Sequence, residues 1–511
     1  MADYDLAIIG GGLNGAAIAR DAAGRGLRVV LIEQDDLGSG QSACLGLMQG
    51  RVTAIEKGAL RRIRRSLVER DRWLHNAPHL VRPLPITMPA HEGRRPLWPL
   101  RAMLHVYDRL APGRVLPRSE TLDITHHEAG VPLKRPFGLA FAWPECLADV
   151  SRLAVLAAVD AAERGATILT GARCVRADRG KIWQLALVDR GRRTSMSARA
   201  LVNATGAWIP SVTDTVLRLK PPPVRLTIAS QIVVRRRFDY DGIYAFQNGD
   251  GEFIYAAPWH ADFTIIGTAA RPFVGDPAIA AASAVDIDQL CRTINRYFRE
   301  RVEPSDVVYA QSAAHAFSAR GGDPHLGTVL RDASRGAAPL VTVFGGDVTL
   351  SRRRAEIAVD RLTPFYPMSP PWTARTPLPG GDVSWQAIGD EAERVRERWP
   401  FLNAKEAARF VSAYGTRTGR VLGDARTRSD LGPQFGPDLT GAEVRYLMAH
   451  EWSRFPDDIL WRRSKLGLSM PKAARDALAQ FMMSPPLSAE GDPQPLAPEL
   501  SPSRPDAKTG A

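Results

Sequence analysis

The chain has 511 residues, more than a single compact core usually organises, and 45% of them are hydrophobic, so two or three folded domains are expected. Its formal net charge of +12 favours an anionic partner (a nucleic acid, an acidic membrane surface or a phosphorylated substrate), or else reflects the solvated surface of a protein from an arginine-rich proteome. No segment reaches about 18 uninterrupted apolar residues, which excludes a transmembrane helix.

The amino-terminal segment has the pattern of a nucleotide-binding βαβ unit. The apolar run from Leu6 to Ile9 predicts a buried parallel strand, which a glycine-rich turn and an alanine-rich helix follow. In such units the first glycine, here Gly10, makes the tight turn, Gly12 lets the backbone approach a pyrophosphate, and Gly15 lets helix and strand pack closely. A second strand ends at Glu33, whose carboxylate is expected to bind ribose hydroxyls. The unit therefore predicts dinucleotide binding.

The rest of the chain divides into further predicted elements. In chain order they are a helix at 54–75 with a basic cluster, a proline-rich passage at 78–99, a helix at 149–165, a strand entering a glycine turn at 201–208, a β-rich lobe at 224–304, a buried strand ending in two glycines at 340–346, and a helical pattern at 390–481.

Two later glycine turns favour a flavin over a nicotinamide cofactor. The strand-and-glycine pattern recurs at 203–208 and at 344–346, far beyond the end of a short NAD-binding domain. An FAD lies extended across a domain assembled from distant segments, so the recurrence predicts FAD. The expected cofactor-binding residues are Gly10, Gly12, Asn14, Gly15, Glu33, Thr205, Gly206, Gly345, Gly346 and Thr349.

These elements predict an α/β fold. It consists of a Rossmann-like FAD-binding domain of the glutathione-reductase type, an inserted antiparallel β lobe and a carboxy-terminal all-α domain. The predicted boundaries are 1–75, 138–222 and 308–363 for the discontinuous FAD-binding domain, 76–137 and 223–307 for the substrate or cap lobe, 380–482 for the helical domain, and 484–511 for a disordered tail.

Several stretches of the sequence resemble one family, the FAD-dependent, membrane-associated glycerol-3-phosphate dehydrogenases. The resemblance extends from about residue 4 to residue 480, in order and without large gaps. It implies FAD as cofactor, a small anionic substrate that is oxidised to a ketone, and a membrane quinone as electron acceptor. The matching stretches include Ile9 to Ala16, Asp21 to Leu27, Leu201 to Trp208, Ile265 to Thr268, Val343 to Gly346, Ser429 to Gly432, His450 to Trp452 and Leu460 to Arg463.

The substrate site departs from the family pattern. Where members typically carry His-Gly-Gly-Leu-Arg-Tyr, this chain begins the corresponding segment with Gln49, Gly50 and Arg51. The resemblance also implies a histidine at Gln231, an arginine at His315 and a lysine at Asp347, and of the expected phosphate-binding cations only Arg331 is kept. A glutamine cannot take the proton of a hydroxyl, and an aspartate repels a phosphate.

Two interpretations follow from these departures. In the first, the site is rebuilt: Arg51, Arg271 and Arg331 supply positive charge, and His315 becomes the base. In the second, the chain keeps the flavin but oxidises something else, or nothing. The alternatives to a dehydrogenase are therefore a catalytically impaired flavin-binding paralogue and an FAD oxidase of a non-phosphorylated compound.

The remaining expectations concern partners and location. Residues 96–114 have the composition of a basic amphipathic helix at an anionic membrane surface, or of an ordinary helix packed on the core. The resemblance implies a cytoplasmic, peripheral protein on the inner face of the cell membrane, and a homodimer is a further expectation. No signal peptide is expected. The four cysteines have no metal-ligand spacing, which indicates a reduced protein without a metal, and no nucleic-acid-binding motif occurs.

Overall fold

The computed structural model describes residues 2–40, 45–90, 98–111, 113, 115–134, 138–247, 253–260, 262–268, 271–321, 325–334 and 336–483. The predicted tail at 484–511 lies outside these ranges. Within them, no helix is both long enough and apolar enough to cross a membrane.

The described strands and helices are as follows. The strands are β1 (Tyr4–Ile9), β2 (Val29–Glu33), β3 (Gly46–Met48), β4 (Val81–Pro89), β5 (Glu120–Asp123), β6 (Leu139–Ala148), β7 (Thr167–Thr170), β8 (Ala172–Arg179), β9 (Trp183–Asp189), β10 (Arg192–Asn203), β11 (Val224–Arg235), β12 (Ile243–Gln247), β13 (Phe253–Trp259), β14 (Phe263–Thr268), β15 (Arg271–Phe273), β16 (Val307–Ser318), β17 (Thr328–Asp332), β18 (Leu340–Phe344), β19 (Gln434–Phe435) and β20 (Leu439–Thr440). The helices are α1 (Leu13–Gly24), α2 (Leu60–Asn76), α3 (Trp98–Leu110), α4 (Val150–Glu163), α5 (Ile209–Ser211), α6 (Ala284–Ile294), α7 (Ser351–Asp360), α8 (Ile388–Arg398), α9 (Ala404–Tyr414), α10 (Thr418–Leu422), α11 (Gly441–His450) and α12 (Lys472–Met483).

The first sheet has the strand order β17-β18-β10-β1-β2-β7, and its five strands from β18 to β7 run parallel. Leu6 and Ile8 of the central strand β1 face a core formed with α1, α4 and α7, while Ala7 and Ile9 face the core under the β8–β9 hairpin. Because both faces of β1 are covered, its buried part, Leu6 to Ile9, is an uninterrupted apolar run. The Rossmann-like domain predicted from the sequence is confirmed.

The second sheet is mainly antiparallel and has the order β15-β11-β14-β13-β12-β4-β6-β3, with β16 paired to β11 and β5 paired to β6. One face packs on α6, and the other packs on α2 and α3. The strand order places β3, β6 and β16 in this sheet, whereas the sequence boundaries assigned residues 46–48, 139–148 and 308–318 to the FAD-binding domain. For β6, the reason is its long antiparallel register with β4, from Ala148 opposite Val81 to Ala140 opposite Pro89.

The carboxy-terminal part is helical, from α8 to α12, around a core that includes Trp399, Phe410 and Leu447. Strands β19 and β20 add one short hairpin to the expected all-α domain. Buried ion pairs join this part to the first sheet's layer. Arg463 donates to both carboxylate oxygens of Asp36 at 2.6 and 2.8 Å, and Arg152 of α4 pairs with Glu451.

Candidate functional site

A cavity of about 550 Å³ lies where the carboxyl ends of the parallel strands meet the second sheet. It is one continuous space with two chemically different ends. The cofactor end consists of the Gly10 to Gly15 loop after β1, Glu33 at the end of β2, and Thr205 and Gly206 after β10. The substrate end consists of Gln49, Arg51, Gln231, Tyr255, His315, His325 and Asp347. In open parallel sheets, ligands bind beyond the carboxyl ends of the strands.

The glycines of the first loop leave a cradle that no larger residue could share. Gly10 has a φ of +107°, and a Cβ there would lie 2.6 Å from the carbonyl oxygen of Ala204. A Cβ at Gly15 would overlap the carbonyl oxygen of Gly10. Gly12 caps α1 without a side-chain hydrogen bond, and Gly12, Leu13 and Asn14 at this helix end line the cavity. Backbone donors at a helix amino end suit a diphosphate.

Glu33 holds the loop in place. Its carboxylate accepts hydrogen bonds from the N–H of Gly11 at 2.6 Å and from the N–H of Asp35 at 2.9 Å. Burial outweighs these hydrogen bonds and raises the pKa of Glu33 to about 7. Glu33 lines the cavity, where its remaining acceptor capacity suits ribose hydroxyls.

The other expected cofactor residues fall into two groups. Asn14, Thr205, Gly206 and Gly346 line the cavity. The hydroxyl of Thr205 donates to Asn203 Oδ1 at 2.6 Å, which fixes the turn after β10. Gly345 and Thr349 do not line the cavity but lie behind it.

Those two residues shape the wall instead. The Thr349 hydroxyl accepts the N–H of Gln49 at 3.2 Å. A Cβ at Gly345, whose φ is +47°, would lie 2.8 Å from the carbonyl oxygen of Ala316. Both contacts join the turn after β18 to segments that carry substrate-end residues.

Arg354 is a cavity residue that the sequence did not reveal. Its guanidinium donates to the carbonyl oxygens of Leu326 at 2.6 Å and Asp347 at 2.7 Å, and to Asn14 Oδ1. It is buried, and burial lowers its pKa to about 10. A guanidinium stays charged at that pKa, so Arg354 places a positive charge beside the first loop. In the sequence it is one of three consecutive arginines, 352–354, and nothing local distinguishes it.

An ion-pair network dominates the substrate end. Arg51 Nε and Nη2 each donate to one carboxylate oxygen of Asp347, both at 2.9 Å, and His325 Nδ1 lies 3.0 Å from Asp347 Oδ2. Burial opposes ionisation of Asp347, but Arg51 and His325 outweigh burial and lower the pKa of Asp347 to about 2. The carboxylate that repels a free phosphate in the sequence interpretation is therefore neutralised by Arg51 in the structure.

Uncharged amide and phenol side chains also line the substrate end. Gln231 of β11 lies opposite Gln311 of β16, whose side-chain amide donates to Gln231 Oε1 at 3.0 Å. Tyr255 of β13 and Gln49 line the same end of the cavity. Polar groups that hydrogen-bond without charge suit the hydroxyl groups of a small substrate.

His315 lies at the substrate end, as the sequence predicted. It is on β16, opposite Thr227 of β11, and lines the cavity. Burial lowers the pKa of His315 to about 4, although Asp347 opposes the shift. The neutral imidazole is consequently the form present near neutral pH.

Two expected cations lie elsewhere, in contrast to the sequence interpretation. Arg331 is on β17, where it donates to the carbonyl oxygen of Arg361 at 3.3 Å and lies over the ring of Phe365. Arg271 is on β15 and pairs with Asp286 at 2.7 Å. Both strands are at sheet edges and both side chains are exposed to solvent, so neither arginine lines the cavity.

Comparisons with known proteins agree with this geometry. Residues 5–352 match the family described as FAD dependent oxidoreductase, and residues 371–484 match the C-terminal domain of alpha-glycerophosphate oxidase. A glycerol-3-phosphate dehydrogenase of Pseudomonas aeruginosa is 38% identical over 94% of this chain and 95% of its own length. The D-erythritol 1-phosphate dehydrogenase of Brucella abortus is 37% identical over 93% of this chain and 97% of its own length.

A solved structure shows the same fold. The glycerol-3-phosphate dehydrogenase of Bacillus halodurans, solved in complex with FAD, superimposes with a TM-score of 0.72 at 21% identity and covers 93% of each chain. The family match accounts for both sheets, and the second match accounts for the helical part. The chain therefore belongs to the FAD-dependent glycerol-3-phosphate dehydrogenase family.

Proposed function

We propose that this chain oxidises the secondary hydroxyl of a small phosphorylated polyol, glycerol 3-phosphate or a related hydroxy compound, to the ketone, and that a membrane quinone receives the electrons. The observation that carries the proposal is the continuous cavity, which joins a diphosphate-binding glycine loop to a polar cluster built around Arg51, Asp347 and two histidines. When bound, FAD supplies the acceptor for the hydride that leaves the carbinol carbon.

The chain's own residues supply binding and orientation. Gly10, Gly12 and the amino end of α1 bind the diphosphate, and Arg354 adds a positive charge beside them. At the other end, the amides of Gln49 and Gln231 offer hydrogen bonds to hydroxyl groups. The remaining N–H groups of Arg51 support an anionic group of the substrate.

The two relatives named above support a phosphorylated polyol without selecting the carbon chain. Their names give glycerol 3-phosphate and D-erythritol 1-phosphate as substrates, which differ in the number of hydroxylated carbons. Because the substrate end has glutamines and a neutralised aspartate instead of the family's histidines and lysine, a different polyol phosphate is a reasonable occupant.

Anaerobic titration of the FAD-loaded protein tests the proposal. Glycerol 3-phosphate, D-erythritol 1-phosphate and unphosphorylated glycerol are added separately, and the flavin absorbance is followed. Bleaching by a polyol phosphate, but not by glycerol, supports the proposal. Bleaching only by unphosphorylated compounds, or by none, contradicts it and favours the oxidase or the impaired paralogue, respectively.

Peripheral binding to the inner face of the membrane is the second part of the proposal. On α3, Leu104 and Tyr107 pack in the core, while Trp98 is 72% exposed and Arg101 and Arg109 face solvent. A tryptophan beside cations suits an anionic interface. Co-sedimentation with vesicles containing anionic lipid, compared with neutral vesicles, measures this binding. A Trp98→Ser variant should bind more weakly, and equal partitioning of both proteins would contradict the role of α3.

A further inference from the structure

The substrate end contains a chain of three charged or titratable side chains whose ends lie far apart in sequence. His325 is hydrogen-bonded to Asp347, which in turn accepts two hydrogen bonds from Arg51. We propose that His325 removes the hydroxyl proton of the substrate, with Asp347 and Arg51 as its positioning residues. The inference rests on the proposed function, because oxidation of an alcohol requires a proton acceptor.

His325 is anchored to Asp347 at two points. The N–H of Asp347 donates to the carbonyl oxygen of His325 at 2.6 Å, and the side chains lie 3.0 Å apart between Nδ1 and Oδ2. The imidazole lines the cavity and is 23% exposed. A ring held by both its backbone and its side chain has a defined orientation at the cavity wall, which general-base catalysis requires.

The carboxylate also determines which ring nitrogen is basic. An ionised carboxylate can only accept hydrogen bonds, so in neutral His325 the hydrogen is on Nδ1 and the lone pair is on Nε2. Asp347 would then stabilise the imidazolium that forms when Nε2 takes a proton. Arg51 keeps Asp347 ionised, since the pKa of this carboxyl is lowered to about 2.

The backbone at Arg51 gives an independent indication of function. Its φ of 61° and ψ of 73° lie in the left-handed region, which residues with a Cβ rarely adopt. The preceding N–H, of Gly50, donates to Tyr107 Oη at 3.0 Å and to Glu145 Oε1 at 3.1 Å, so buried groups hold the turn. Strained conformations that the surroundings enforce occur mainly at functional sites.

Two of the departures from the family pattern, Arg51 and Asp347, form one ion pair. Where the quoted family pattern has a glycine and a lysine, this chain has Arg51 and Asp347, and these two side chains contact each other. The positive charge has moved from one segment to the other, and the carboxylate left behind contacts His325. These two departures are thus explained together as the construction of a histidine–carboxylate pair.

His315 is the less suitable of the two cavity histidines. Burial lowers the pKa of its imidazole to about 4. A base whose conjugate acid is that strong takes up a hydroxyl proton poorly, because efficient general bases have pKa values near the working pH. We therefore assign proton removal to His325, whose contact with Asp347 orients its ring at the cavity wall, in preference to His315, which the sequence indicated.

Oxidation of the alcohol removes one proton and one hydride from the substrate. The O–H bond of the substrate breaks, and its proton goes to His325 Nε2. The C–H bond at the same carbon breaks with its electron pair, and the hydride goes to the flavin, the oxidant of this family. The C–O bond becomes a C=O bond, and His325 is left as an imidazolium that faces Asp347.

Rapid mixing of the FAD-loaded protein with the polyol phosphate that bleaches it tests the assignment. In His325→Ala, the rate of flavin reduction should fall at least about 100-fold, while the substrate dissociation constant should change less than about threefold. Added imidazole should restore part of the rate. His126→Ala, at a side chain that is 88% exposed, is the control and should reduce the flavin at the wild-type rate. An unchanged rate of flavin reduction in His325→Ala overturns the assignment. The assignment is also overturned if His315→Asn, and not His325→Ala, loses the rate and regains part of it with imidazole.

A second measurement does not depend on catalysis. In ¹⁵N NMR of the histidine side chains, His325 should show a hydrogen on Nδ1 in wild type, and Asp347→Asn should change that signal. A signal from the Nε2–H tautomer in wild type would overturn the assignment. If no polyol phosphate bleaches the wild-type flavin, the proposed function fails, whereas the NMR result still decides whether the histidine–carboxylate pair exists.

Discussion

The two ends of the cavity are built by different means. At the cofactor end, Gly10 and Gly12 line the cavity within one short loop, and at Gly10 and Gly15 a side chain is excluded by contact with neighbouring backbone. At the substrate end, the side chain of Arg51 meets those of His325 and Asp347, which lie at the two ends of the β17–β18 hairpin, far from Arg51 in sequence. A backbone site is therefore defined locally, whereas a side-chain site can be rebuilt by exchanging charges between segments.

The two ends also differ in how they hold their buried carboxylates. Glu33 accepts hydrogen bonds from two backbone N–H groups, and burial raises its pKa to about 7. Asp347 has Arg51 and His325 as partners, and its pKa is lowered to about 2. Burial raises the pKa of both carboxyls, but at Asp347 the ion-pair partners outweigh burial, whereas at Glu33 the hydrogen bonds do not.

The largest loss of FAD binding is expected when a side chain fills the cofactor end. Gly15→Val should abolish retention of FAD, with affinity reduced at least about 100-fold, because the new side chain overlaps the backbone of Gly10 and no rotamer relieves that overlap. The ratio of flavin to protein absorbance after gel filtration measures it. Gly389→Ala is the matched control: this helical glycine has open space around its Cβ position, so FAD should be retained. Full flavin content in Gly15→Val would contradict the cradle.

Removal of the Glu33 carboxyl should change how the free energy of unfolding depends on pH. Its pKa is about 7 in the folded state and 4.5 in the reference state, so its contribution to stability is fully present below about pH 4.5 and is lost as pH rises through 7. Relative to wild type, Glu33→Gln should gain about 3 kcal/mol of unfolding free energy between these limits. Urea unfolding of the cofactor-free proteins at about pH 5 and about pH 8 measures the change. A difference independent of pH would argue against a buried, unpaired carboxyl.

Asp347 should show the opposite behaviour in a different pH window. Its pKa is about 2 in the folded state and 3.8 in the reference state, so its contribution is present above about pH 3.8 and is lost as pH falls through 2. Wild type should exceed Asp347→Asn by about 2 kcal/mol from neutral pH down to about pH 4, and the difference should shrink only below that. Urea unfolding across this range gives the result. A difference that disappears between pH 7 and pH 5 would locate the titration elsewhere.

The smallest expected effect concerns the cation beside the first loop. Arg354→Met should weaken FAD binding about tenfold, because it removes a buried guanidinium that donates to Asn14. Arg353→Met, on the same helix, is the control, since Arg353 is 40% exposed and pairs with Glu356. Fluorescence titration of each cofactor-free protein with FAD compares them. Equal affinities in the two variants would remove Arg354 from the cofactor site.

The fold class was predictable because its signals are local. A run such as Leu6 to Ile9 ending in spaced glycines specifies a buried strand, a tight turn and a helix within a short segment. The helical carboxy-terminal pattern was equally direct, and both predictions are confirmed. The sheet that receives β6 was not predictable, because the pairing of β6 with β4 depends on a register between separate segments.

The two ends of the site also differ in how well they could be predicted from local sequence. Gly10, Gly12 and Asn14 were identified from spacing, and they line the cavity. His325 and Arg354 were missed, since no motif marks either residue and each is placed by contacts outside its own short segment, with Asp347 for His325 and with Asn14 for Arg354.

The sequence alone identified an FAD-binding member of its family with an altered substrate site. It could do so because glycine spacing and strand periodicity are properties of short segments. Only the tertiary structure showed that Arg331 faces solvent, that Arg51 neutralises Asp347 and that His325 contacts that carboxylate. The physical reason is that an ion pair requires two side chains within about 4 Å, and for segments some 300 residues apart that distance is set by packing.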